Sequence, residues 1–119
     1  MPAKPVLVVD DDPDIRESLC ALLQGEGYAT ITAENGAEAV AQMQTHQPCF
    51  VILDLMMPVM DGWEVRTKMQ EQHELATIPV CVVTATPEWA PLDSVCVLTK
   101  PVDIGELLRV IEAHCGIRH

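Results

Sequence analysis

Four short apolar runs, each stopped by a polar or charged residue, constrain this chain more than any other feature. Val6-Leu7-Val8-Val9 ends in Asp10-Asp11-Asp12, and Cys49-Phe50-Val51-Ile52-Leu53 ends in Asp54. Val80-Cys81-Val82-Val83 ends in Thr84, and Val95-Cys96-Val97-Leu98 ends in Thr99-Lys100-Pro101. A continuous apolar run of this length, bounded by Pro or Gly, reads as a strand buried on both faces of a parallel sheet. Such a strand has no place for a charge except its end. Four of them deliver carboxylates, a hydroxyl and an ammonium to one edge of one sheet.

Between these runs the pattern switches to helical periodicity. Strand one is expected at about Pro5 to Val9. Asp12-Pro13-Asp14 then opens a helix, with Asp12 as N-cap, Pro13 at the first position and an acid facing the positive end of the dipole. Ile15, Leu19, Leu22 and Leu23 keep an apolar stripe until Gly25-Glu26-Gly27. Tyr28 to Ala33 reads as an edge strand of mixed polarity. Asn35-Gly36-Ala37-Glu38 resembles a capping box and starts a second helix that ends near His46 to Pro48. After the Asp54 strand, Asp61-Gly62-Trp63-Glu64 caps a third helix through about Gln72, with Val65 and Met69 inward. Ile78 to Val83 is the next strand. Val95 to Leu98 is the last one, and Asp103 caps a final helix that carries Ile104, Leu107, Leu108 and Ile111 on one face.

The connection from Thr84 to Ser94 is the odd one, because Pro87 and Pro91 both fall within its eleven residues. Pro91 interrupts any helix within one turn of Pro87, and eleven residues barely span a parallel crossover. The expectation is a single helical turn or an irregular loop. The whole pattern is that of an α/β domain with helices on both faces of a doubly wound, five-stranded parallel sheet. For a flavodoxin-like order 2-1-3-4-5, the ligand crevice falls between strands one and three, at Asp10-Asp11 and Asp54.

Length and charge exclude several functions. A chain of 119 residues is one domain, 1–119, with no room for a second. Its apolar runs are far shorter than the ~18 residues of a membrane helix, and no signal peptide is evident. The expectation is a soluble, cytoplasmic chain without membrane contact. With 7 basic against 18 acidic residues the formal charge is −11, so the chain is expected to repel nucleic acid. The cysteines at 20, 49, 81, 96 and 115 form no C-x-x-C pair. They read as small buried hydrophobes in a reducing compartment, in preference to a disulfide framework or metal site. The histidines at 46, 73, 114 and 119 read as solvated groups near helix ends.

Asp10, Asp11 and Asp54 brought together would raise one another's pKa values unless a cation neutralised them. Magnesium suits a small, open cluster, since it keeps several waters and takes one or two carboxylates plus a phosphate. Lys100 adds a point charge for a phosphoryl oxygen or for Asp54, and Thr84 a hydroxyl donor. These are the parts for taking up a phosphoryl group, where positioning and charge neutralisation do the chemistry.

VLVVDDD at 6–12, ILDLMMPVMDG at 52–62, VVTA at 82–85 and LTKP at 98–101 together resemble the receiver domain of two-component response regulators of the chemotaxis-receiver kind. The likeness runs over nearly the whole chain. It implies that Asp54 is the phosphoacceptor, taking its phosphoryl group from a sensor histidine kinase or phosphotransfer protein. It further implies that Asp11, Asp54 and the Met56 carbonyl bind Mg2+ directly, with Asp10 acting through water or as a close helper. Thr84 and the Ala85 backbone N–H would hold the phosphoryl oxygens and Lys100 would pair with them, ahead of an often cis Lys100–Pro101 bond. Met56 and Thr86 stand where such receivers tune the lifetime of the aspartyl phosphate. The output, to a downstream protein or a second copy, would use the face built from 84–119. On this reading the chain is a signalling domain that promotes its own phosphorylation and dephosphorylation, not an enzyme acting on other substrates.

Two features depart from that family's pattern. Val97 stands three positions before the lysine, where an aromatic residue is usual and turns inward on activation. The Pro-bearing connection at 84–94 replaces what is normally a full fourth helix, with Trp89 and Leu92 left to cover the sheet. They keep open an atypical receiver that binds partners without phosphate. Asp10-x-Asp12 also resembles the paired acids of haloacid-dehalogenase-like phosphatases, but no suitable late acidic pair follows.

Overall fold

The computed structural model describes residues 4–55, 62–85 and 96–116. Five parallel strands, β1 (Val6–Val9), β2 (Thr30–Ala33), β3 (Phe50–Asp54), β4 (Val80–Thr84) and β5 (Cys96–Thr99), form one sheet in the order β2-β1-β3-β4-β5. The described helices are α1 (Pro13–Gly25), α2 (Gly36–His46), α3 (Gly62–Glu71), a single turn α4 (His73–Ala76) and α5 (Ile104–Cys115). This is the flavodoxin-like, doubly wound α/β fold that the apolar runs imply. The expected short or irregular element between Pro87 and Ser94, and the expected cover of Trp89 and Leu92, lie outside the described residues, as do Met56, Asp61 and Thr86. None of the described helices is long and apolar enough to cross a membrane.

The three central strands, β1, β3 and β4, are buried on both faces because each alternates between two apolar layers. Leu7, Val9, Val51, Leu53 and Val82 pack with Ala39 and Met43 of α2 and Val65 and Met69 of α3. Val6, Val8, Phe50, Ile52 and Val83 pack on the other side with Leu19 and Leu23 of α1 and Leu107 and Ile111 of α5. Phe50, Val51, Ile52 and Leu53 are almost wholly buried. At about 1.5–3 kcal/mol for each large side chain removed from water, these four outweigh the several kcal/mol that a buried charge costs, so β3 can hold Asp54 at 5% exposure.

Capping follows the sequence. The Asp12 carboxylate accepts from Asp14 N at 2.9 Å, Asn35 from Glu38 N at 2.9 Å and Asp103 from Glu106 N at 3.0 Å. Strand bounds differ in ways that local chemistry explains. β4 begins at Val80 instead of Ile78, since Pro79 has no N–H for the ladder and contributes only its carbonyl, which accepts from Val51 N at 3.0 Å. β2 begins at Thr30, because Tyr28 N instead closes the end of α1 on Leu23 O, with Gly27 in the left-handed region at φ 92°. The turn α4 was not legible in the sequence; it buries Leu75 beneath the α3 side.

The reading of the cysteines as free buried thiols is corrected. Cys81 and Cys96, register partners on β4 and β5, are joined as a disulfide, and so are Cys49 and Cys115, which the fold brings together from 66 residues apart. Cys20 alone is free. Residues with no local spacing signature become neighbours only through strand order and the docking of α5. His46, His73 and His114 are exposed as expected, although the ring of His114 also rests against Phe50 at 5.8 Å.

Gly62, at the start of α3, donates its N–H to Leu55 O at 3.0 Å. A Cβ there would lie 2.7 Å from Leu55 Cδ2, 2.8 Å from its Cα and 3.1 Å from Asp54 O. Gly62→Ala is expected to displace the end of β3 and to cost about 1–3 kcal/mol in urea unfolding. Gly25→Ala, which meets nothing within 4 Å, is expected to be neutral or slightly stabilising. Equal effects at the two positions would contradict this packing.

Candidate functional site

The site grows out of strand register. Val9 pairs with Leu53, so Asp10 and Asp54 leave adjacent strands at the same level. Asp54 pairs with Val83, which brings Thr84 alongside it, and Thr84 pairs in turn with Thr99. The backbone N–H of Lys100 donates to the Thr84 carbonyl at 3.0 Å, so the lysine starts from the same edge. Burial at the core sets the register, and register sets the site.

Asp10 and Asp54 are 3% and 5% exposed, Thr84 is 1% exposed, and Asp11 and Ala85 face solvent. The carboxylates of Asp10, Asp11 and Asp54 each offer an oxygen within 4.8 Å of the others. Lys100 Nζ reaches across from β5, 3.4 Å from Asp10 Oδ2 and 3.5 Å from Asp54 Oδ2. Asp10 is also anchored locally: its Oδ1 accepts from Asp12 N at 2.9 Å, and its carbonyl accepts from Arg16 Nη1 at 2.8 Å. Sequence reasoning missed that Arg16 tie and the Lys100–Asp10 contact. Neither has a signature in local spacing, since one depends on the rotamer of a helix residue and the other joins residues 90 apart.

Three acids and one ammonium leave net negative charge at this edge of the sheet. Burial pulls the Lys100 ammonium's pKa down, but the nearby charges of Asp54 and Asp10, with hydrogen bonds to both, outweigh it and the net shift is upward from 10.5. The lysine is therefore a fixed cation at any physiological pH. The donor set is all oxygen, two carboxylates are buried and one is open to water, which fits a hard divalent ion such as Mg2+ that retains part of its hydration shell. Asp10, Asp11, Asp54, Thr84 and Lys100 gather at one edge as expected, with the exposed Ala85 following Thr84 in the chain. The Lys100–Pro101 bond is cis, as the family resemblance suggested. The expected metal contact of Met56 lies outside the described residues. Val97 is 38% exposed on β5, outside the apolar layers.

Comparison with known proteins is consistent throughout. Residues 6–112 match the model of the response regulator receiver domain. Protein PilH of Pseudomonas aeruginosa is 33% identical over 91% of this chain and 94% of its own length. The Vibrio cholerae chemotaxis protein CheY4 is 30% identical, with a TM-score of 0.82 over 95% of this chain and 99% of that one. The receiver domain of the P. aeruginosa sensor histidine kinase PA1611, solved with a magnesium ion coordinated in its active site cleft, shares the fold at 22% identity. Its TM-score is 0.87 over 97% of this chain and 99% of that one. Other relatives are longer, and the chain spans about half their length.

A raised ammonium pKa adds stability that is fully present below its ordinary value of 10.5 and is lost as pH rises through the higher folded value. With chelator present, Lys100→Met is expected to lower urea-unfolding stability by about 1–3 kcal/mol at neutral pH, between the values for exposed and buried pairs. The gap is expected to narrow only above about pH 10.5. No gap at neutral pH, or one that widens under alkali, would contradict the ion-pair geometry.

Proposed function

The chain belongs to the family of response regulator receiver domains of two-component signalling, and from that membership we propose that residues 1–119 form one receiver whose phosphoacceptor is Asp54. The observation that carries this reading is the reach of the Lys100 ammonium to both Asp54 and Asp10, beside a third carboxylate, at the edge where β1 and β3 part.

A carboxylate oxygen of Asp54 attacks the phosphorus of a phosphohistidine on a sensor kinase or phosphotransfer protein. The bond from phosphorus to the histidine nitrogen breaks, its electron pair stays on the nitrogen, and the phosphoryl group ends as an acyl phosphate on Asp54. Asp54, 5% exposed, presents its oxygens only at the strand end, so the donor must approach along the sheet edge. Asp10 and Asp11, and the Met56 carbonyl by resemblance, would hold Mg2+ with Asp54. When bound, that ion neutralises charge on the acids and the incoming phosphoryl oxygens. Lys100 is released from Asp54 as the carboxylate becomes the acyl phosphate, and its ammonium meets the new phosphoryl oxygens. The Thr84 hydroxyl and the Ala85 N–H donate to the remaining oxygens. Water attack on the same phosphorus reverses the modification, so the chain takes part in both halves of its own cycle without acting on other substrates. We place this activity in the cytoplasm, with output to a downstream protein or a second copy through the face built from 84–119, and no part for nucleic acid or membrane.

A second reading, a module that binds partners without phosphate, draws on Val97, whose exposed aliphatic side chain lacks the aromatic group that usually reports activation. Beryllofluoride with magnesium separates the two: partner affinity that changes on adding it supports the switch, and unchanged affinity supports the module.

Incubation with acetyl phosphate and Mg2+ is expected to add one acid-labile phosphoryl group by mass, on Asp54. Asp54→Ala should add none, and Lys100→Ala should react about 10²-fold more slowly, as for loss of one charge-stabilising donor. Mg2+ is expected to raise the thermal midpoint of the unmodified protein, but not that of Asp11→Asn. Modification at another residue, or undiminished labelling of Asp54→Ala, would contradict the assignment.

A further inference from the structure

We propose that Cys49 and Cys115 form a glutathione-exchangeable thiol pair, a redox modification site at the end of the sheet opposite Asp54, with Cys49 as the residue that first takes glutathione. Cys49 precedes the first residue of β3 and Cys115 is the last of α5, with Cα atoms 5.6 Å apart, within the ordinary span of a bridge. Both residues are half-buried.

Fully buried strand and helix side chains make up both apolar layers, and Cys49 and Cys115 only pack at the margin of one, unlike small secreted scaffolds that depend on disulfides. In a reducing cytosol such a pair serves redox chemistry more often than static structure. This point rests on the cytoplasmic placement above; the pairing itself does not depend on phosphate chemistry.

Cys49 also lines a crevice of about 300 Å³ with Lys4, Thr77, Glu74 and His114. Of the crevice groups, Lys4 and His114 suit the carboxylates of a glutathione molecule and Glu74 opposes them, while the Cys49 sulfur itself lies 3.4 Å from the Lys4 carbonyl. Cys115 is not among the crevice residues, which gives the two sulfurs different parts. The Cys49 thiolate attacks one sulfur of glutathione disulfide, forming a mixed disulfide and releasing one glutathione. The Cys115 thiolate then attacks the Cys49 sulfur, forming the Cys49–Cys115 bond and releasing the second. The two thiol protons leave with the two glutathiones, and excess reduced glutathione runs the sequence backwards.

The loop closed by this bond, residues 49–115, contains Asp54, Thr84 and Lys100. Oxidation therefore restricts the unfolded chain over the segment that carries three of the site groups. Free Cys20 is the internal comparator: burial pushes its thiol up, and it lies in the apolar layer between α1 and the sheet.

The full chain is equilibrated in glutathione buffers of graded redox ratio, and peptide mass mapping reads each cysteine. The expected result is a reversible passage of Cys49–Cys115 from thiols to disulfide across that series, with a rise in thermal midpoint on the order of 10 °C on oxidation. Cys115→Ser is expected to hold one glutathione on Cys49, at several times the occupancy of Cys20, and Cys49→Ser none on Cys115. Three results would overturn the proposal: a pair that stays oxidised in excess reduced glutathione, a pair that stays reduced in excess glutathione disulfide, or a mixed disulfide on Cys115 instead of Cys49. Should either serine variant not fold, the redox titration of the unaltered chain decides the matter alone.

Discussion

Like-charge repulsion among Asp10, Asp11 and Asp54, offset by a lysine from the far strand, is the constraint that the rest of this molecule is built to sustain. Carboxylates with oxygens within 4.8 Å of one another do not gather spontaneously. They are held there because the strands that end in them are buried over their whole length, and a slip of one residue would draw an aspartate into the apolar layers. The cost of concentrating charge is met by dispersion and desolvation in two apolar layers some distance away.

The same economy explains why Lys100 matters beyond its own ion pairs. Its backbone is fixed to Thr84 and its side chain spans to Asp10 and Asp54, so one residue links β1, β3, β4 and β5 at their carboxyl ends. Its ammonium therefore offsets charge on carboxylates from two neighbouring strands at once.

Much of this was legible in the sequence, because each strand's apolar run and polar stop are contiguous. Asp54 at the end of Cys49-Phe50-Val51-Ile52-Leu53 has one plausible position in any parallel sheet, and the caps at Asp12, Asn35 and Asp103 are local hydrogen bonds between near neighbours. What escaped is non-local. The Cys81–Cys96 and Cys49–Cys115 bonds depend on strand neighbours and on where α5 docks, and Arg16 reaches the Asp10 carbonyl only once α1 lies against β1. The turn at His73–Ala76 was passed over because four residues are too few to display a helical period. Strand starts shifted by one or two residues where Pro79 or the end of α1 took a backbone group out of the ladder.

The central claim, that acids from two neighbouring strand tips share one divalent ion, is tested most directly by anomalous diffraction from crystals grown with Mn2+ in place of Mg2+. The expected result is a single strong peak in the crevice, within coordination distance of a carboxylate oxygen from Asp11 and one from Asp54, with Lys100 beside it. A peak bound elsewhere, or a well-ordered crevice holding no ion at saturating Mn2+, would contradict the account.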